Sequence, residues 1–261
     1  AADVLETDFD KIVPFGVDTD ISPYDSGSYA SATTYVTGMA VADACEQLRK
    51  KIQELGALML EISPEEAEFD GKRVYSLKDN REVTLEEVAV KGTAGNNLNL
   101  QASASRSSQI SPPPFMAGIA EVEIDKETGA IELVDYVAVV DCGTPVNPNL
   151  ARVQTEGGLA QGIGMALFED IQYNDRGQLR NNSFMQYKIP ARTDVRKIRV
   201  EFAPSYEKSH PFGAKSIGEI VINTPCPAIA NAVYNAVGVR IREMPITPEK
   251  IAMALAEKAE K

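Results

Sequence analysis

The residues best placed for chemistry sit in three short segments. The first is Phe212-Gly213-Ala214-Lys215-Ser216-Ile217-Gly218-Glu219, a run of small residues ending on a carboxylate. Gly213 and Gly218 let its backbone approach another object closely, and Lys215 and Ser216 either contact a ligand there or hold the loop. A lone Glu is usually a solvated surface group, so its setting decides how Glu219 is read. The second segment is Glu156-Gly157-Gly158-Leu159-Ala160-Gln161-Gly162-Ile163-Gly164, within a helical pattern. Each interior glycine costs about 1 kcal/mol relative to alanine. Gly158 and Gly162 share one face, which admits either a flat ligand or a tightly packed neighbour. Gln161 offers a donor and an acceptor without charge. The third is Tyr29-Ala30-Ser31-Ala32-Thr33-Thr34 before a long helical pattern. Small residues and hydroxyls there make either an oxyanion or pyrophosphate cradle or an ordinary N-cap.

Several other chemistries are excluded. A single histidine, His210, rules out a multi-histidine metal site, and no ligand set for zinc, iron–sulfur or haem is present. A metal in this protein must be carried by something other than side chains. Asp18-Thr19-Asp20 and Asp25 suggest a calcium loop, but Pro23 occupies the glycine position and Tyr29 the bidentate one. The GxGxxG spacing of a dinucleotide fingerprint is absent, and Asn181-Asn182-Ser183 is a sequon without a recognisable export signal. Cys45, Cys142 and Cys226 are odd in number and unpaired in spacing, which favours a reducing compartment. Cys226, between two prolines, reads as a packed thiol, and His210 as exposed or as a group behind the site. The net charge of −12 argues against nucleic acid, and the only dense basic cluster, Arg49-Lys50-Lys51, has acidic neighbours. No apolar run is long enough to cross a bilayer.

The elements that must position these segments follow from pattern. Ala1 to Leu5 reads as the tail of a helix with no start Met, as in a truncated polypeptide. Ile12 to Val17 reads as a short buried strand, followed by a turn-rich loop from Asp18 to Gly27. Val36, Met39, Ala40, Ala44, Leu48 and Ile52 predict a helix from Thr34 to Met59. A hairpin turns at Asp70-Gly71, and Thr84-Leu85-Glu86-Glu87 has capping-box form. Gly92 to Ser111 is a polar connector. Met116 to Ile124 and Ile131 to Val140 flank a natural hairpin turn at Asp125 to Gly129. Asn147 to Phe168 is a long helix. Phe184 to Pro190 and Lys197 to Phe202 read as strands, and helices follow near Ile222 to Val237 and Pro248 to Glu257. Hairpins alternating with long helices indicate an α+β class. Two lobes are expected, residues 1–100 with the 29–34 segment and residues 101–261 with the Gly-rich helix and the Glu219 loop.

These segments together resemble the molybdopterin-binding large subunit of the xanthine dehydrogenase family, the molybdenum hydroxylases, in its C-terminal part. The resemblance runs from about Lys11 to Lys250 and extends to Ser111-Pro112-Pro113-Pro114-Phe115, Asp141-Cys142-Gly143, Gln186-Tyr187-Lys188-Ile189-Pro190, Pro225-Cys226-Pro227-Ala228-Ile229-Ala230 and Arg242-Glu243-Met244-Pro245-Ile246-Thr247-Pro248. It implies a two-lobed fold with mixed sheets and flanking helices. It implies that Glu219 is the general base on a Mo–OH group, a task that needs a carboxylate of tuned pKa within hydrogen-bond reach, tuned here by desolvation in an apolar loop. It further implies that Gln161 hydrogen-bonds the cofactor, and that Ala30, Ser31, Ala32 and Thr33 touch the pterin and its phosphate arm, with Lys215 and Ser216 nearby. Ala32 stands where many bacterial relatives carry Arg. No side chain ligates the metal.

The implied cofactor is molybdopterin carrying Mo, in its cytosine dinucleotide form, with Fe-S clusters and FAD on partner chains. The implied partners are the N-terminal half of the molybdopterin subunit, an iron-sulfur subunit and an FAD subunit. The chain would be the smaller polypeptide of a split large subunit, as in nicotinate dehydrogenase, or a fragment of an unsplit one. The implied activity is cytoplasmic hydroxylation of an N-heteroaromatic, nicotinate- or purine-type, with water as oxygen source. Aldehyde oxidation and aromatic acyl-thioester reduction in the same family are alternatives, and a non-catalytic scaffold is an alternative of another class.

Overall fold

The computed structural model describes residues 1–16, 18–20, 22–93, 100–107 and 110–260. The chain divides into two compact units, one of Ala1–Ser28 with Thr33–Ile110 and one of Tyr29–Ala32 with Ser111–Lys261. The division follows Ile110 rather than residue 100, and the loop 29–32, expected in the first lobe, belongs to the second unit.

The first unit is a helix on a small sheet. Helix α1 (Ala2–Leu5) and a 3₁₀ turn, Phe9–Lys11, precede a π turn, Thr33–Thr37, that runs into helix α2 (Gly38–Leu60). Strands β1 (Ala67–Phe69), β2 (Arg73–Ser76) and β3 (Glu82–Thr84) form an antiparallel sheet in that order. Ile52, Leu55, Ala57 and Leu60 of α2 pack on Phe69 and Val74, giving this unit its own apolar core. Helix α3 (Leu85–Thr93) closes it. Its capping box forms as expected: Thr84 N donates to Glu87 Oε2 at 2.8 Å, and Glu87 N to Thr84 Oγ1 at 3.2 Å.

The second unit carries three helices and a mixed sheet. Strands β4 (Phe115–Ile124) and β5 (Ile131–Asp141) make the expected hairpin, and β6 (Ile198–Phe202) pairs with β5 in parallel. Helix α4 (Pro148–Leu167) starts under an Asn147 side chain that accepts from Leu150 N at 3.0 Å. Helix α5 (Pro225–Val237) and helix α6 (Pro248–Ala259) follow. Leu159 and Ile163 of α4, Ile229 and Val233 of α5 and Ile251 of α6 meet Leu133, Tyr136 and Ala138 of the sheet in one core. The class is α+β, with both antiparallel and parallel pairing.

Two strand expectations are corrected, and of the two readings of His210 the group behind the site is the one found. Residues 12–16 form no strand and are mostly exposed; Pro14 removes a ladder donor and Gly16 weakens the run, and Val17 lies outside the described residues. Residues 184–190 are turn and coil, because Gln186 N and Tyr187 N both donate to Ser183 O and wind the chain locally. His210 is buried, 2 % exposed, with Nδ1 accepting from Phe212 N at 3.1 Å and Ala214 N at 3.4 Å, so it organises the turn before Glu219. The polar stretch 92–111 falls in part outside the described residues.

Two substitutions test how α4 is seated. Ile163→Ala, at a fully buried position, is expected to lower unfolding free energy by about 2–5 kcal/mol. Asn147→Ala, which removes the cap, is expected to cost about 1 kcal/mol. Denaturant titration of the two variants checks both.

Candidate functional site

Glu219 is held by three separate attachments, all within the second unit. The first lies upstream, at the end of β5. Asp141 Oδ2 accepts from Lys215 Nζ at 2.7 Å, and Oδ1 accepts from Gly143 N at 3.0 Å and from the Ser205 hydroxyl. The Lys215 ammonium also lies 5.6 Å from the centroid of the Phe115 ring. Main chain joins main chain here: Lys215 N donates to Cys142 O at 2.7 Å, and Gly143 and Ala214 form an antiparallel bridge. Gly143 and Gly213 have φ of 68° and 71°, and a Cβ on Gly143 would run into Gly213 O. Burial opposes ionisation of Asp141, but Lys215, Ser205 and the Gly143 N–H outweigh it and lower its pKa. Lys215 therefore spends its charge on this clasp, and Ser216 is buried behind it.

The second attachment lies downstream. The 3₁₀ turn Ile220–Ile222 begins directly after Glu219 and docks on α4. A Cβ on Gly158 would overlap Val221 Cγ2, and one on Gly162 would sit 2.6 Å from Pro225 Cγ and 2.9 Å from Ile222 O. Close packing is thus the reason for these two glycines. Gly157 is different: nothing lies within 4 Å of where its Cβ would be. Cys226 is a packed thiol as expected, with Sγ 3.7 Å from Gly162 O and its pKa raised by burial.

The third attachment is Ser31. Its Oγ accepts from Glu219 N at 2.7 Å and lies 3.2 Å from Glu219 Oε2, to which it donates. Ala30 and Ser31 have φ of 47° and 58°, a left-handed conformation that costs non-glycine residues of order 1–3 kcal/mol each. Ala32 N donates to Tyr29 O at 3.0 Å and closes the turn. Thr33 begins the π turn of the first unit instead of joining this loop. The long helix has no side-chain cap at its start, so the N-cap reading of this segment does not hold.

Gln161 is exposed on α4, on the face that also carries Gly157 and Gln154. Gln154 is a site neighbour that pattern reading missed: its Nε2 is 3.7 Å from where a Cβ of Gly218 would stand. The signal for it was the seven-residue spacing to Gln161, two helical turns. Glu219 is exposed, so the desolvation expected for it is not supplied by these residues. Two hollows, of about 340 and 310 Å³, lie beside residues 190–198 and within residues 171–187, and neither is lined by Glu219, Ser31 or Gln161. The site is an open face with a carboxylate, a hydroxyl, two amides and a bare glycine.

That donor set fits a polar ring system bearing its own metal. Among the described residues no three His, Cys, Asp or Glu side chains are grouped to hold an ion, whereas neutral amides and a hydroxyl bind an anionic ligand without repelling it. A model of the molybdopterin cofactor-binding domain matches residues 1–196. The chain belongs to that family. It is 38% identical over 259 residues to the probable hypoxanthine oxidase XdhD of Escherichia coli K12, covering 98% of this chain and 27% of that protein. It is 34% identical over 232 residues to the aldehyde oxidoreductase molybdenum-binding subunit PaoC of the same strain, covering 87% of this chain and 30% of that protein. Among solved structures, quinoline 2-oxidoreductase from Pseudomonas putida 86 superposes with a TM-score of 0.83 at 30% identity, covering 98% of this chain and 34% of that one. The chain therefore spans about a quarter to a third of the length of these relatives. The molybdopterin-binding fold is that of molybdenum hydroxylase large subunits.

The Asp141 clasp has a defined pH signature. Because its folded pKa is lowered, its contribution is present above the ordinary aspartate pKa of about 3.9 and is lost as pH falls through the lower folded value. Lys215→Met is expected to raise the Asp141 titration midpoint, read by carboxyl NMR, and to move acid loosening of the 213–219 loop to higher pH.

Proposed function

We propose that this chain presents the proton acceptor of a molybdenum hydroxylase, Glu219, on one wall of the cofactor cleft. The observation that carries the reading is the Ser31–Glu219 pair. One hydroxyl fixes both the backbone and the carboxylate of Glu219, on the unit whose α4 face carries Gln154, Gly157 and Gln161. When bound, the pterin-borne molybdenum supplies a two-electron acceptor and activates water as the oxygen source.

The chain's own residues do the rest. Ser31 Oγ–H holds Oε2 and sets the rotation of the carboxylate, and Oε1 takes the proton as the new carbon–oxygen bond forms. Gln161 and Gln154 hydrogen-bond the edge of the pterin, and Ala30, Ser31 and Ala32 border its phosphate arm in the cytosine dinucleotide form. Lys215 and Ser216 serve this site from behind, by fixing the loop that ends on Glu219.

The substrate class we propose is an N-heteroaromatic ring of purine or nicotinate type. Resemblance to a probable hypoxanthine oxidase and to a quinoline oxidoreductase supports it. Resemblance to an aldehyde oxidoreductase subunit supports aldehyde oxidation as the second reading. Electrons leave through partner chains bearing Fe-S clusters and FAD. Free cysteines at 45, 142 and 226 fit assembly in a reducing, cytoplasmic setting.

In the complete enzyme, Glu219→Gln is expected to lower turnover by roughly 10²–10⁴-fold while molybdenum content stays at the wild-type level. Unchanged turnover would assign Glu219 a scaffold role. Comparing turnover of hypoxanthine, nicotinate and an aromatic aldehyde separates the two substrate readings, with H₂¹⁸O tracing the oxygen inserted into the heteroaromatic products.

A further inference from the structure

Strand β4 lies at one edge of its sheet and alternates between sheltered and exposed residues along its whole length. Its outward residues are Phe115, Ala117, Ile119, Glu121 and Glu123. A sheet face turned to water carries polar side chains, and Glu121 and Glu123 comply. Phe115 and Ile119 do not; they are 61% and 71% exposed. The register sets Val139 beside Ala117 and Val137 beside Ile119, and Val139 is itself exposed. Scattered surface hydrophobics need no explanation, but five apolar residues on one face of two neighbouring strands form a contiguous patch.

The patch is confined to one end of the sheet. Phe115 pairs with Asp141, and its ring lies beneath the Lys215 ammonium of the clasp. The apolar stripe is therefore continuous with the structure that fixes the Glu219 loop. At the far end the same face carries Glu121 and Glu123 on β4, while Asp135 of β5 is ion-paired to Lys197 and Arg199 of β6.

We infer that this stripe seats the polypeptide that supplies the facing wall of the cofactor cleft, the remainder of the molybdopterin-binding subunit. The inference rests on the function proposed above. In the matched relatives this chain corresponds to 27% of one protein and 34% of another, so most of the subunit is available to cover the face. Charge speaks against a second copy, since each chain carries a net −12. The surface that fits is apolar at its centre, as interface cores are, with Lys or Arg opposite Glu121 and Glu123.

The test uses the complete, molybdenum-loaded enzyme carrying either Ile119→Cys or Glu123→Cys. Each is treated with a small maleimide, and the wild-type signal from the native thiols is subtracted. The thiol at 119 is expected to lose most of its labelling while that at 123 keeps it, and Ile119→Glu is expected to reduce recovery of assembled enzyme. Equal labelling at the two positions in the loaded enzyme would sink the inference. So would an Ile119→Glu enzyme that keeps every kind of subunit but halves the copies of this chain per particle, which assigns the stripe to self-association. Absence of molybdenum in the purified enzyme would instead defeat the proposed function and leave the labelling result readable.

Discussion

The structure around Glu219 depends on one steric condition: the turn after it must lie directly on the backbone of α4. Gly158 and Gly162 meet this condition. A methyl group at either position would occupy space taken by Val221, Pro225 or the Ile222 carbonyl. Glycine in a helix interior costs about 1 kcal/mol each, and α4 accepts that cost twice at this contact. Any side chain there would push the turn outward and carry the carboxylate with it. The glycines are thus a positional device for a residue that neither of them touches.

That contact sets the turn but not the carboxylate's direction, which two further attachments supply. The Asp141–Lys215 clasp ties the incoming strand of the loop to the end of β5, and both partners are largely shielded, so the pair is screened less than a surface ion pair. Ser31 then orients the group itself from a turn held in the left-handed region at two successive residues. Strain of this kind persists only where surrounding contacts over-determine it. Here the hydrogen bond from Glu219 N to Ser31 is part of that determination. The strain and the orientation of the carboxylate are therefore two descriptions of one arrangement.

Much of this was legible in the residue pattern, and what was missed has identifiable causes. The β4–β5 hairpin, the capping box at Thr84 and helices α4 to α6 follow from periodicity and punctuation, both local properties. The Gly-rich helix and Glu219 were identifiable as special, but the pattern did not separate ligand approach from packing. The answer differs by residue, with Gly158 and Gly162 packed and Gly157 open. Residues 12–16 and 184–190 looked like strands because short apolar runs carry strand-like alternation without a partner to pair with. Phe184 and Met185 are 82% and 86% exposed, so their alternation reports no buried face. His210 reads from sequence as exposed or as a group behind the site, and the choice is set by the backbone N–H groups of Phe212 and Ala214, which no composition rule reveals. Gln154 was missed because its relevance comes from Gly218, far away in sequence.

The exposure of Glu219 determines what else the site needs. The chain provides the aim of the group and not its dry surroundings. Gln154, Gly157 and Gln161 share that exposure along one face of α4. Position is built in by short-range backbone contacts within the second unit. An exposed carboxylate also avoids the cost of burying an unpaired charge, which folding disfavours.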